Sequence, residues 1–272
     1  MNKDILNRKG ARKAADIPAE VVELLNKGKI ETVNLTEWLA IDHNALIQAV
    51  FPDLGIEKTT IDAIIKEIQA QKKPSAMNTT RLVGTSLSQH YSNTKGLEVI
   101  LDKLSTHLSD SIRCYAPYLI ALNENLTLEE KMARAQHLVA DTHFGVREVV
   151  WMALRPEIDK NLEKSIQFLA TWTKDKDENI RRFTTEATRP RGVWCKHIDR
   201  LKETPELALP ILNNLKADDS KYVQDSVGNW LNDASKTRPD FVIALCEKWQ
   251  KTSPTKATEK IIKRAKRTID KG

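Results

Sequence analysis

The sequence predicts an all-α fold, a solenoid of stacked helical repeats, and three observations carry that prediction. The chain of 272 residues holds only 9 Gly and 10 Pro, and it is rich in Leu, Ile, Ala, Lys and Glu, a mix that favours helix. Four short segments recur along it at near-regular spacing. Each of them opens a stretch whose apolar residues repeat with helical periodicity.

The recurring segments read Asp110-Ser-Ile-Arg-Cys, Phe144-Gly-Val-Arg-Glu, Glu178-Asn-Ile-Arg-Arg and Lys221-Tyr-Val-Gln-Asp. Their β-branched anchors, Ile112, Val146, Ile180 and Val223, stand 34, 34 and 43 residues apart. A period in this range, built of helix-sized pieces, marks an α-solenoid of the HEAT-like kind. A second helix is expected between anchors, over Leu126–Leu138, Leu162–Trp172 and Glu206–Leu215. Asp177, Asp218 and Asp219 precede anchor helices, where acids complement the positive helix end. Pro156, Pro190 and Pro239 follow them and are expected to stop them.

Upstream, shorter helices are expected over Ile17–Asn26, Leu35–Ala40 with Asn44–Val50, and Thr60–Gln71. Asp16 and Pro18 suit the start of the first. Residues 72–81 read as a polar linker, after which Leu82–Ser92 and Gly96–Leu108 begin the regular array. The expected organisation is a basic N-terminal segment (1–16), a repeat domain (17–250; irregular helices to about 80, regular repeats from about 82) and a basic tail (251–272). Both ends are expected to be mobile.

Charge is unevenly placed. The net charge is +6, and residues 251–272 alone carry +6, so residues 1–250 sum to zero. Lys3, Arg8, Lys9, Arg12 and Lys13 make the N-terminus basic, which leaves the middle slightly acidic. Net charge alone therefore does not make the body a nucleic-acid binder. The tail admits two readings, a solvated helix or an electrostatic arm that grips phosphates. No apolar run approaches the ~18 residues of a membrane span. The start, Met1-Asn2-Lys3-Asp4, lacks an apolar signal core, so a cytoplasmic protein without membrane association is expected. Cys114, Cys195 and Cys246 lie far apart and read as free thiols. No histidine cluster, Ser/His/Asp motif, P-loop or dinucleotide fingerprint is present, and no metal or cofactor is expected.

Helical phasing, at about 100° per residue, separates the faces of each anchor helix. Val146, Val149, Val150, Ala153 and Leu154 form one packing stripe, and Glu148, Trp151 and Arg155 oppose it. Ile180, Phe183, Thr184, Ala187 and Thr188 form the next, opposed by Arg182, Glu186 and Arg189. Val223, Val227, Trp230, Leu231 and Ala234 form the last, opposed by Asp225, Asn229, Asn232 and Lys236, with Asp233 on the flank. The same offsets carry polar groups in three successive repeats, and stacking sets such positions side by side. The bland alternative is an ordinary solvated face. Trp151 argues against it, because a Trp set opposite the core tends to have a binding reason. Trp38, Trp172, Trp230 and Trp249 read as core.

Glu186-Ala-Thr-Arg-Pro-Arg-Gly-Val-Trp-Cys-Lys196 is the most unusual stretch. Arg189, Arg191 and Lys196 surround Trp194 just past a helix end. Two guanidiniums flanking a proline suit phosphates, and the indole could stack or wedge against nucleic acid. Equally, the cations could cap the free carbonyls of the helix.

At these residues the chain resembles the HEAT-like repeat alkylpurine DNA glycosylases, the AlkC/AlkD-type DNA alkylation repair proteins. The matching text is Phe144-Gly-Val-Arg-Glu-x-x-Trp, Glu178-Asn-Ile-Arg-Arg, Glu186 to Trp194, and Tyr222 to Lys236. It covers roughly residues 80–250 and is nearest the AlkC branch at Arg-Pro-Arg…Trp and Leu-Asn-Asp-x-Ser-Lys. The resemblance implies a concave binding face that grips double-stranded DNA containing alkylated bases, and a monomer. Some members hydrolyse the N-glycosidic bond of cationic alkylated bases without flipping the base into a pocket. The family's acidic residue falls at or within one residue of Glu148, and its arginine at Arg182 with the same latitude. Where AlkD has Gly-Trp-x-Leu-Arg this chain has Gly228-Asn-Trp-Leu-Asn232, and AlkC members often carry an acid near the place of His143.

The function expected from the resemblance is a monofunctional DNA glycosylase, with Glu148 as first catalytic acid and Asp233 as second. Trp151 and Trp194 would contact sugar or bases. Arg155, Arg182, Arg189, Arg191 and Lys236 would hold phosphates, with Glu186, Asn229 and Asn232 on the same face. The competing readings are a DNA-binding repeat protein without catalysis and a protein-interaction scaffold. Fold alone does not separate the three.

Overall fold

The computed structural model describes residues 3–92 and 94–271, and its regular elements are helical, with no strand among the described residues. Met1 and Asn2 of the expected N-terminal segment, and Gly272 of the tail, lie outside the described residues. The chain divides into two compact units: Met1–Leu126 with Thr142–Ala153, and Thr127–Asp141 with Leu154–Gly272. No helix among the described residues is long and apolar enough to cross a membrane.

The first unit holds α1 (Lys3–Leu6), α2 (Ala19–Asn26), α3 (Leu35–Leu39), α4 (His43–Val50), α5 (Lys58–Gln69), α6 (Ala76–Tyr91), α7 (Leu97–Ser105), α8 (Asp110–Arg113) and α9 (Ala116–Ala121). Short polar side chains set several starts. Asn34 accepts the Glu37 amide at α3, Asp42 those of Asn44 and Ala45 at α4, and Ser75 that of Asn78 at α6. The Ser75 cap shortens the expected linker, since residues 76–81 are already helical. The basic N-terminal segment is also held in place. Arg8 reaches both carboxylate oxygens of buried Glu37 at 2.9 and 2.7 Å, and the carbonyls of Ile5 and Glu31. His143, expected beside the polar face, lies instead in a buried knot. Asp110 accepts the amide and hydroxyl of Thr32, each at 2.9 Å, and faces His143 Nδ1 at 3.3 Å. Burial pushes the Asp110 carboxyl upward, against the pull of His143 and these hydrogen bonds.

The second unit is formed by α10 (Leu128–Val139), the later part of α11 (Phe144–Lys160), α12 (Leu162–Trp172), α13 (Glu178–Glu186), α14 (Asp199–Glu203), α15 (Leu209–Leu215), α16 (Lys221–Ala234), α17 (Pro239–Thr252) and α18 (Lys256–Ala265). Helix α13 packs between α10 and α16, and α16 packs in turn on α18. This is the neighbour-on-neighbour order of a repeat array. Pro156 does not stop its helix, because α11 continues to Lys160. A proline inside a helix removes one hydrogen bond, and full burial of Leu154 and Ile158 on either side offsets the loss.

The residue after each anchor has one structural task. Arg113 donates to the carbonyls of His107 and Leu108 at 2.8 and 3.0 Å, and Arg147 to that of Thr142 at 2.8 Å. Arg181 donates to those of Asp175 and Lys176 at 2.9 and 3.0 Å, and Gln224 to that of Asp218 at 2.7 Å. Each side chain folds back on the loop that leads into its own helix and satisfies carbonyls the helix cannot reach. Arg181 also bridges to the next repeat, through both oxygens of Asp218 at 2.7 and 3.0 Å.

Candidate nucleic-acid interface

The outward residues of α13 and α16 meet as an ion-pair ladder. Arg189 Nε and Nη2 donate to Asp233 Oδ2 at 2.9 and 2.6 Å, and Lys236 takes the other Asp233 oxygen at 3.0 Å. Arg189 also reaches Glu186 at 3.4 Å, and Arg182 pairs with the same carboxylate at 3.4 Å. Glu186 is buried and accepts the Ser226 hydroxyl at 2.7 Å. Arg182 lies over the Tyr222 ring, 4.3 Å from its centroid. Burial lowers the pKa of Arg189, but Glu186 and Asp233 outweigh that effect and raise it. Glu186, Arg189 and Asp233 are thus matched with each other, and Arg182 is engaged from two sides.

Arg155, expected to hold phosphates, is buried, with 2% of its surface exposed. Its guanidinium donates to the carbonyls of Lys196 at 2.9 Å, Ala187 at 3.0 Å and Arg189. Burial lowers its pKa. The loop from Ala187 to Ile198 is therefore pinned from beneath and closed by the Ile198 amide on the Pro190 carbonyl at 3.1 Å. Gly192 permits the close fit, since a Cβ there would lie 2.3 Å from Cys195 Sγ and 3.1 Å from Arg155 Cζ. The cations of the loop do not cap α13, because the amides of Ala187, Thr188 and Arg189 take its last carbonyls, those of Phe183, Thr185 and Glu186. Burial raises the Cys195 thiol, with Arg155 and Arg189 opposing.

Above this clamp stands Trp194, 56% exposed and next to exposed Val193. Its φ of 59° lies in the left-handed region, the only such value among described residues other than glycine. A bulky side chain there costs about 1–2 kcal/mol, so the surrounding loop over-determines it. Half-buried Arg191 and exposed Lys196 flank it, and their side chains have no hydrogen-bond or ion-pair partner among the described residues. The motif thus brings together one open indole and two available cations.

In the middle of α11, within the part that belongs to the first unit, Trp151 corrects the phasing: it is 2% exposed and belongs to the core. Val149 through Arg155 are all buried, so this helix is covered all round and a single apolar stripe does not describe it. Its indole N–H donates to Glu148 Oε2 at 3.0 Å and fixes that half-buried carboxylate.

The outward face of α16 is covered. Arg264 of α18 pairs with Asp225 at 2.6 Å, Arg267 donates to Asn229 at 2.8 Å, and Thr268 donates its amide and hydroxyl to Asn232, each at 3.1 Å. Asn229 and Asn232, expected on an open binding face, are thus occupied by the chain's own C-terminus. In the sequence this segment stands out by its charge. Thr258, Ile261 and Ala265, all buried, were the amphipathic signal that would have found the helix docking. Among the described residues no group of three or more His, Cys, Asp or Glu could hold a metal ion.

The model of a family described as DNA alkylation repair enzyme matches residues 120–265. An uncharacterized Bacillus subtilis protein, YhaZ, is 44% identical over 117 residues, which cover 43% of this chain and 32% of that protein. The alkylpurine DNA glycosylase AlkC of Pseudomonas fluorescens, solved bound to DNA containing an abasic site analog, is similar with a TM-score of 0.64 and 25% identity. That match covers 78% of this chain and 56% of the AlkC chain. AlkD2 of Streptococcus mutans is similar in fold, with a TM-score of 0.60 and 24% identity, over 78% of this chain and 99% of that one. The chain thus spans about a third of YhaZ and just over half of the AlkC chain.

Proposed function

The chain belongs to the DNA alkylation repair enzyme family, and from that premise we propose that it is a DNA glycosylase, a cytoplasmic monomer that binds alkylated duplex DNA and hydrolyses the N-glycosidic bond of cationic alkylated bases. The observation that carries this reading is Trp194. An exposed indole, held in a strained conformation by a buried arginine and flanked by Arg191 and Lys196, is suited to rest on bases between phosphates. The likeness to an AlkC solved with DNA supports the same partner.

An alkylated purine is already cationic. When its bond to the sugar breaks, the electron pair leaves with the base, which needs no further proton. The sugar is left with oxocarbenium character, and water adds to it. A carboxylate near that carbon stabilises the developing charge and can take the water's proton. At ~4 Å and an effective dielectric of ~20 such a contact is worth about 4 kcal/mol, roughly a thousandfold in rate. Glu148 suits this task, because the family resemblance puts the acid at its place and the Trp151 indole N–H fixes its carboxylate. Asp233 suits it less, because Arg189 and Lys236 balance its charge.

The test is release of methylated base from alkylated duplex DNA, run beside a binding assay. Glu148→Gln is expected to lower release by about a hundredfold to a thousandfold while duplex affinity stays near wild type. Normal release by that variant would remove Glu148 from the chemistry. A second reading, duplex binding without base release, is favoured by the covered face of α16. There Asn229 stands where the AlkD pattern has tryptophan, and it is held by Arg267. Wild-type protein that binds duplex and releases no base would select it.

A further inference from the structure

The C-terminal helix presents two different faces. Its inward face carries Thr258, Ile261 and Ala265, all buried against the second unit. Polar clamps fix its register: Thr258 donates to the Lys216 carbonyl at 2.9 Å, Arg264 pairs with Asp225 at 2.6 Å, and Arg267 and Thr268 hold Asn229 and Asn232. Gly228 allows the close approach, since a Cβ there would lie 2.7–2.9 Å from the Cβ, Cδ and Cγ of Arg264. This segment is a docked, oriented helix.

Its outward face carries Lys256, Lys260 and Lys263, all exposed. They stand at i, i+4 and i+7, which aligns them in one row. The row spans ~10 Å, about three base-pair rises of duplex DNA. Glu259 is the one acid in α18. The remainder of the chain, residues 1–250, sums to zero charge, so this row lies in the strongest cationic region of the protein. The apolar side of the helix is occupied by α16, which leaves none to insert into a membrane surface.

We infer that α18 is a preformed phosphate-binding rail, on which Lys256, Lys260 and Lys263 contact the backbone of duplex DNA independently of sequence and of damage. The inference rests on the reading of the protein as a DNA binder. It assigns the rail to affinity and places the chemistry elsewhere. Three phosphate contacts predict a salt dependence steeper by roughly 2.7 in log K against log salt than the same protein without them.

The test uses the full chain, an undamaged duplex and salt from about 50 to 200 mM. In Lys256→Gln/Lys260→Gln/Lys263→Gln the slope is expected to flatten by roughly 2.7 and low-salt affinity to fall by about tenfold or more. Base release at saturating enzyme is expected to stay at wild-type rate. A control of equal charge, Lys58→Gln/Lys66→Gln/Lys95→Gln, is expected to leave the slope unchanged. Equal losses in both variants would overturn the rail in favour of a net-charge effect. An unchanged slope with base release intact would overturn the rail and leave the glycosylase reading standing. Loss of binding to polyglutamate without loss of duplex binding would assign the row to an acidic polypeptide and overturn it too. A wild-type protein that binds no duplex would remove both readings together.

Discussion

The loop after α13 and the C-terminal helix are both basic, and both place arginine inward. In the loop, Arg189 meets Asp233 and Glu186, while Arg155 meets three carbonyls from below. In α18, Arg264 meets Asp225, and Arg267 just beyond the helix meets Asn229. What faces solvent differs: an indole with Arg191 and Lys196 in the loop, a row of lysines on the helix. Guanidinium has a planar fork and weak hydration, which suit buried carbonyls and carboxylates, whereas ammonium is strongly hydrated and stays in water. The comparison teaches that basic residues counted together in a sequence divide into clamps and contacts. Under the proposed function, base contact falls to the loop and backbone contact to the helix.

The largest effect expected in breaking that comparison is at Arg155. Arg155→Met leaves three carbonyls, the buried one of Ala187 among them, without their guanidinium donor and should cost about 3 kcal/mol or more, read from the urea midpoint. Arg155→Lys should recover little of this, because one ammonium does not reproduce a planar fork. A variant of either kind with wild-type stability would show that the loop is held by other means.

Trp194 is expected to separate contact from stability. Trp194→Ala should leave stability within ~0.5 kcal/mol and weaken binding to alkylated duplex by about 1–3 kcal/mol, roughly fivefold to 150-fold. Trp194→Gly should lose the same affinity and gain up to ~1 kcal/mol in stability, because glycine accepts the left-handed conformation. Unchanged affinity in both would take base contact away from the loop.

The smallest effect sharpens the helix side. Gly228→Ala improves helix propensity by about 1 kcal/mol, yet its new methyl collides with Arg264. Overpacking should outweigh propensity and leave a net loss of about 1 kcal/mol, with faster proteolysis within α18. A stabilised Gly228→Ala would mean that α18 docks loosely.

Much of this was legible along the chain. The anchors Ile112, Val146, Ile180 and Val223 are all buried near the start of their helices, as their spacing and β-branched chemistry required. The packing stripes of α13 and α16 were readable because the apolar residues of each helix gather on one side, which the helical period reveals, even though α18 covers the other side of α16 through polar contacts. Trp151 was misplaced because the middle of α11 is enclosed all round, where periodicity carries no phase. Arg155 was misplaced for the same reason: its partners are carbonyls some 32 to 41 residues away in sequence, and a carbonyl has no residue type.

The sequence by itself determined that the chain is an array of helices with four anchors, and that Trp194 sits in a basic loop beyond a helix end. Both follow from local chemistry, the apolar period and the turn residues. Tertiary structure decided which charges remain available. Asn229 and Asn232 face outward on α16 by period and are closed by α18, and Arg155 is polar by type and buried by packing. A side chain's fate depends on what the fold brings against it, and those neighbours come from distant parts of the chain.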